Sequence, residues 1–221
     1  MSWHNKNYGA YDRNTSDAYD NALTAWGILY SRGWSLLAFC GMWGNVEAES
    51  GYNPWRWQSD IILSSDSPQI DYQNAHAYGL CQWDPAAKYI NGGRNYSGYS
   101  PNFSNQSGGI NDGTAQLNFL DDTAVSSGQY FPNPNYNYQI SYSAYKQMTI
   151  SNYSVEYATR AWFHNYERGT WSQTRVTAAQ YWYNTLGGVT PPEPPEPPTP
   201  SGNIPIWLLF KIKDRNRGEM S

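Results

Sequence analysis

Two glycines inside an apolar run decide much of how this chain can fold. Between Leu36 and Ser50, the residues Leu36, Phe39, Cys40, Trp43 and Val46 recur at helical spacing, and Gly41 and Gly44 interrupt them. Glycine weakens a helix, so two within one helix predict that a neighbour packs very close. Ser35 supplies the cap, while Gly51 and Asn53-Pro54 end the helix at about Ser50. The last turn thus carries Glu49 from a packed scaffold toward a cleft, a position suited to an acid. Tyr52, Trp55 and Trp57 follow at once, and flat apolar rings beside a carboxyl suit sugar rings better than most ligands.

Glu47 and Glu49 are two residues apart, about 200° around a helix, so only one can serve a given site. Near a helix C-terminus the dipole opposes negative charge and partial burial opposes it further. Glu49 is therefore expected to hold its proton near neutrality, as a general acid must. Glycosidic cleavage usually needs a second carboxylate as well. Asp60, Asp66, Asp71, Asp84 and the more distant Glu167 are candidates, and no spacing rule selects among them.

The rest of the chain reads as mainly helical. Asp17 to Tyr30 carries an apolar stripe with caps at Thr15 to Asp17 and a stop at Gly33. Further helical patterns cover Thr114 to Ala124, Tyr142 to Met148, Ser154 to about Phe163, and Val176 to Leu186, the last ended by Gly187-Gly188. Residues 59 to 78 form a loop-rich lobe or weak hairpin with a short apolar run at Ile61 to Leu63 and turns at Ser64 to Pro68. Ala77 to Pro85 is compressed into a tight segment against the cleft, and Asn91 to Gly113 is a long surface loop placed to cover it. Three parts result: a domain over 1–189, a stiff proline-rich linker over 190–202, and an apolar and basic tail over 203–221. The tail is expected to dock on another protein or to touch a membrane surface, since its seven-residue apolar run cannot span a bilayer.

Composition removes several function classes. The net charge is -4 and no basic block interrupts the main domain, which argues against nucleic acid. Residues 1 to 20 lack the apolar core of an export signal. Aromatic residues reach 17%, with 11 Trp and 20 Tyr, and their excess suits either sugar stacking or an aromatic core. Cys40 and Cys81 are expected to be buried thiols rather than a bridge. A Cys-His hydrolase built from Cys40 or Cys81 with His76 or His164 is disfavoured because nothing near Cys40 activates a thiolate. His4, His76 and His164 lack metal-ligand spacing, so no metal and no cofactor are expected.

The segments CGMWGNVEAESGYNPWRWQ, YGLCQW with Asp84-Pro85, NYERG over 165–169 and QYWYNTLGG over 180–188 resemble the phage tail-associated lysozymes of the lysozyme and lytic transglycosylase superfamily. The likeness covers about residues 16 to 188. It implies an α+β, mainly α, lysozyme-like fold with a small extended lobe, and a phage tail protein that opens the host cell wall without a cofactor. It further implies a muramidase cutting the β-1,4 bond between N-acetylmuramic acid and N-acetylglucosamine, or a lytic transglycosylase using the same acid. By that likeness Glu49 is the acid, Ser50 orients it, and Asn53, Trp57, Tyr78, Gln82, Trp83 and Tyr166 line the sugar groove. Glu167 is then either the second carboxylate or an arginine's ion-pair partner. The reading from another class is a saccharide-binding tail module without turnover, which gains little from a buried unpaired acid.

Overall fold

A computed structural model describes residues 3–60, 73, 76–102 and 111–192. The turn at 64–68, Asp66, Asp71, most of the proline-rich linker and the whole 203–221 tail lie outside the described residues. Seven helices follow in order among those described: α1 Ser16–Ser31, α2 Leu36–Ser50, α3 Ala87–Gly92, α4 Asp112–Thr123, α5 Tyr142–Lys146, α6 Val155–Trp162 and α7 Thr174–Leu186. The helix over 87–92 has no counterpart in the sequence reading, and the loop expected from Asn91 to Gly113 begins inside it and ends inside α4. The expected extended lobe reduces to two isolated antiparallel bridges, Trp57 to Tyr78 and Tyr78 to Trp83. Cys40 and Cys81 are separate buried thiols.

Caps fall where short hydroxyl side chains precede apolar stripes. Thr15, Ser35 and Ser154 each accept a backbone N–H from the first turn of α1, α2 and α6. Gly51 takes a left-handed conformation (φ 55°) and sends its N–H to the Glu47 carbonyl, closing α2.

Helix α2 is the centre of the molecule, with α6 and α7 packed against it and α1 alongside. The two glycines make this possible. A Cβ on Gly41 would lie 2.7 Å from the Ala158 backbone of α6, and one on Gly44 would lie 2.5 Å from the Arg175 carbonyl of α7. No side chain fits at such distances.

The core around α2 is aromatic. Trp43 stacks on Phe39 at 5.5 Å and on Tyr52 at 5.4 Å, and the Trp182 indole donates to the Tyr52 hydroxyl at 2.7 Å. A second group, Trp34, Tyr130, Tyr145 and Trp162, packs at centroid distances of 5.5 to 6.1 Å. Several buried polar groups are satisfied in one cluster. Asp112 accepts from the Tyr78 and Tyr89 hydroxyls, the Gln116 amide and the Ser100 N–H, which ties the 78–102 segment to α4.

Gly44→Ala is expected to lose about 1–3 kcal/mol of stability through overpacking against α7. Thermal unfolding measures it, and a wild-type melting point would mean that α7 can shift without cost.

Candidate active site

The site lies where the C-terminal turn of α2, the end of α6 and the start of α7 meet. Arg175 in the first turn of α7 is buried, and its guanidinium needs partners there. Its Nη1 donates to the Asn45 carbonyl at 3.3 Å and to Asn45 Oδ1 at 3.2 Å, and its Nη2 donates to Glu49 Oε1 at 2.7 Å. Asn45 is itself fixed, donating to the Gly41 and Thr159 carbonyls. The guanidinium also lies over the Phe163 ring at 5.1 Å. The isolated proton-holding acid expected at Glu49 is therefore replaced by an ion pair whose carboxylate side chain is 21% exposed.

The second carboxyl at this junction is Glu167. The helix beyond Trp162 widens into a π-helical turn, Phe163–Glu167, closed by an Arg168 N–H to Phe163 carbonyl bond of 2.8 Å and ended by left-handed Arg168 (φ 58°). The wider turn brings the Glu167 carboxyl back to the Trp162 indole, which donates to it at 2.9 Å. Residue 167 keeps partial exposure as a whole while its carboxyl is enclosed by protein. That enclosure, followed by the negative charge of Glu49, pushes the Glu167 carboxyl up to about 8, and the Trp162 indole and Arg175 offset only part of this. Cys81 feels both carboxylates and its thiol is pushed well up, chiefly by burial, so it is no nucleophile.

The two glutamates thus form an asymmetric pair. Glu49 is charge-compensated by a guanidinium, whereas Glu167 retains a proton at neutral pH. One proton beside one carboxylate is the combination that general acid chemistry with charge stabilisation requires. Asp60 belongs elsewhere: it pairs with Arg56 at 3.2 Å and accepts the Gly9 N–H. Asp84 is exposed. Glu47 points to a different hollow of about 540 Å³ bordered by Tyr11, Asn14 and Thr177, where Arg13 and the Tyr52 hydroxyl bind it. The two-residue offset from Glu49 thus separates the sites.

Most residues expected to line a sugar groove are interior instead. The Ser50 hydroxyl donates to the Val46 carbonyl at 3.2 Å. Asn53 is fully buried and binds the Lys6 and Gly9 carbonyls, stapling the N-terminal segment to the end of α2. Trp57 donates to the Asn102 carbonyl at 2.6 Å, and Tyr78 lies on its ring and donates to Asp112. Gln82 donates to the Arg56 and Gly79 carbonyls and shapes its own turn. These five are buried or spent on backbone groups, so they hold the cleft wall from behind.

Trp83 and Tyr166 are buried as well, but their rings back a hollow. The Trp83 indole donates to the Tyr166 hydroxyl at 3.0 Å, and together with Phe119, Lys88 and Gln129 they border a pocket of about 190 Å³. Arg175 and Asn45 were not singled out from the sequence. The apolar stripe of α2 carried a hint, because Asn45 stands one residue from Gly44 within it. His4 lies between Asp17 and Asp20, while His164 is packed among rings. Among the described residues no group of His, Cys, Asp and Glu could hold a metal ion, and no helix is long and apolar enough to cross a membrane.

A family model described as phage tail lysozyme matches residues 20–186. The chain is 40% identical over 72 residues to Morphogenesis protein 1 of Bacillus phage B103, a match covering 32% of this chain and 17% of that relative. It therefore spans less than a fifth of the relative's length.

Folding raises the proton affinity of Glu167 from its ordinary 4.5 to about 8. Its contribution to stability is full below about 4.5 and is lost as the pH rises to about 8. Wild type should lose more thermal stability between pH 5 and pH 9 than Glu167→Gln, with each kcal/mol moving the melting point by about 2–4 °C. Equal losses would place the Glu167 carboxyl in water.

Proposed function

Because the chain belongs to the phage tail lysozyme family, we propose that it is a muramidase that cuts the β-1,4 bond between N-acetylmuramic acid and N-acetylglucosamine in peptidoglycan. The observation that carries this reading is the Glu49 and Glu167 pair, with Arg175 on one member and a retained proton on the other. Burial and the nearby charge of Glu49 keep Glu167 protonated near neutrality, so the site holds one proton. Glu49 has the side chain that reaches the surface, and it delivers the proton to the leaving oxygen once bound sugar displaces water and loosens the Arg175 contact. Glu167 holds the proton within the pair until then, and its own charge afterwards favours the positive character that develops at the anomeric carbon.

In this reading the 190 Å³ pocket beside Trp83 and Tyr166 accepts part of a sugar unit. The place of action is the bacterial cell wall, reached as part of a phage tail, where the 203–221 segment would dock on neighbouring tail proteins.

Digestion of purified peptidoglycan, with mass analysis of the released fragments, tests the assignment. Wild type should yield reducing N-acetylmuramic acid ends, whereas 1,6-anhydro ends would make the reaction a transglycosylation. Glu49→Gln should fold with a lowered melting point, because it removes the charge facing buried Arg175, and at a temperature where it is still folded it should lose at least about 100-fold in rate. Glu167→Gln should move the alkaline limb of the rate profile to lower pH, because the pair can no longer hold its proton to about 8. Lysis by Glu49→Gln at the wild-type rate would end the assignment.

A further inference from the structure

The same π-helical turn that ends in Glu167 organises an aromatic surface on its other side. Asn165 is fully buried; its Oδ1 accepts the Asn133 N–H at 2.9 Å, and its Nδ2 donates to the Tyr138 carbonyl at 2.9 Å. Its carbonyl accepts the Phe131 N–H at 3.1 Å. The 131–138 segment is thereby pinned to the turn, and its rings are held at the surface. Tyr136 is 45% exposed and lies on the His164 ring at 3.8 Å and 24°. Phe131 is 40% exposed, and Trp171 is near parallel to His164 at 6.3 Å.

Exposing two large rings while others are packed flat behind them is costly for a surface that faces only water. Burial lowers the proton affinity of His164, and Arg160 lowers it further, so the imidazole stays an uncharged ring within the stack. Arg168 immediately follows Glu167, and its guanidinium rests 4.5 Å from the Phe131 ring centre. Arg13, Arg32, Arg56, Arg160 and Arg175 each have a carboxylate within 4 Å, whereas exposed Arg94 and Arg168 have none among the described residues, and of these two Arg168 is the one beside the shelf, its charge felt by Glu167.

We propose that Phe131, Tyr136 and the rings behind them form a saccharide subsite for the glycan strand beyond the cleaved bond, with Arg168 binding a carboxylate of the attached stem peptide. This rests on the muramidase reading and extends it to the substrate's peptide. Flat apolar faces match the axial C–H faces of a pyranose ring, and the shelf is continuous with Glu167 through Arg168. A guanidinium with no carboxylate within 4 Å, beside the strand, matches the anionic group that an uncrosslinked stem presents, its terminal carboxylate. Ring stacking and the cation thus read different parts of one polymer.

The test uses the full chain carrying Glu49→Gln, so that binding is measured without turnover. It is sedimented with purified peptidoglycan, either intact or stripped of stem peptides by an amidase. Phe131→Ala and Tyr136→Ala should each weaken retention about tenfold on both materials, and Arg168→Gln should weaken it on intact walls only. Ile150→Ala, at an exposed apolar position outside the 131–138 segment, should match its parent. In the active chain the two ring variants should raise KM and leave kcat unchanged. Shelf variants that bind and cleave as their parents do, in a chain that does release muropeptides, would overturn the subsite and leave the muramidase reading standing. Wall binding that depends on the shelf, without any cleavage by wild type, would keep the subsite and sink the enzyme. An Arg168→Gln effect that persists on stripped glycan would overturn the peptide contact.

Discussion

Burying a guanidinium is costly unless its surroundings answer its N–H groups, and α2 answers both terminal nitrogens of Arg175, while the buried Nε–H has no hydrogen-bond partner among the described residues. Asn45 takes one arm with both of its oxygens, and Glu49 takes the other. These partners sit on one face of α2 four residues apart, so the bonds fix both the height and the rotation of α7 against it. Gly44 removes the side chain that would keep the helices apart. The same residue that docks α7 therefore sets the charge state of the site, and packing and chemistry cannot be altered separately there.

The order of helices was legible because their signals are local. Ser35, Ser154 and Gly51 mark boundaries through their own backbone preferences, and the glycines of α2 announced a close neighbour. Residues 87–92 carry neither a side-chain cap nor a long stripe, and nothing in the sequence marked that helix. Glu49 could be placed at a helix end from sequence, but its partner could not, since Arg175 is distant in the chain and looks like any arginine of a first turn. Glu167 was one candidate among several because its approach depends on a change of helical pitch that composition does not encode.

The aromatic excess has two origins that composition cannot separate. Trp3, Trp34, Trp43, Trp55, Trp57, Trp162 and Trp182 are all fully buried or nearly so, and most of their N–H groups find carbonyl, carboxylate or hydroxyl partners. They replace the aliphatic packing that a larger core would use. Tyr52, Trp55 and Trp57 follow closely on the glutamate in sequence, yet all three are buried. A flat ring next to a carboxylate in the sequence is thus weaker evidence for a sugar contact than a ring held open by a buried amide, as Asn165 holds Phe131 and Tyr136.

The π-helical turn at Phe163–Glu167 carries one residue more than an α-helical turn would. In an ordinary helix each residue advances about 100°, so removing a single residue there would carry Glu167 a quarter turn or more away from Trp162 and from Glu49. Every side chain named in the site could be kept and the pair would still be lost. Here the active site is encoded by chain length as much as by residue identity, and relatives that share the glutamates but differ by one residue in this turn should be expected to have solved proton storage in another way.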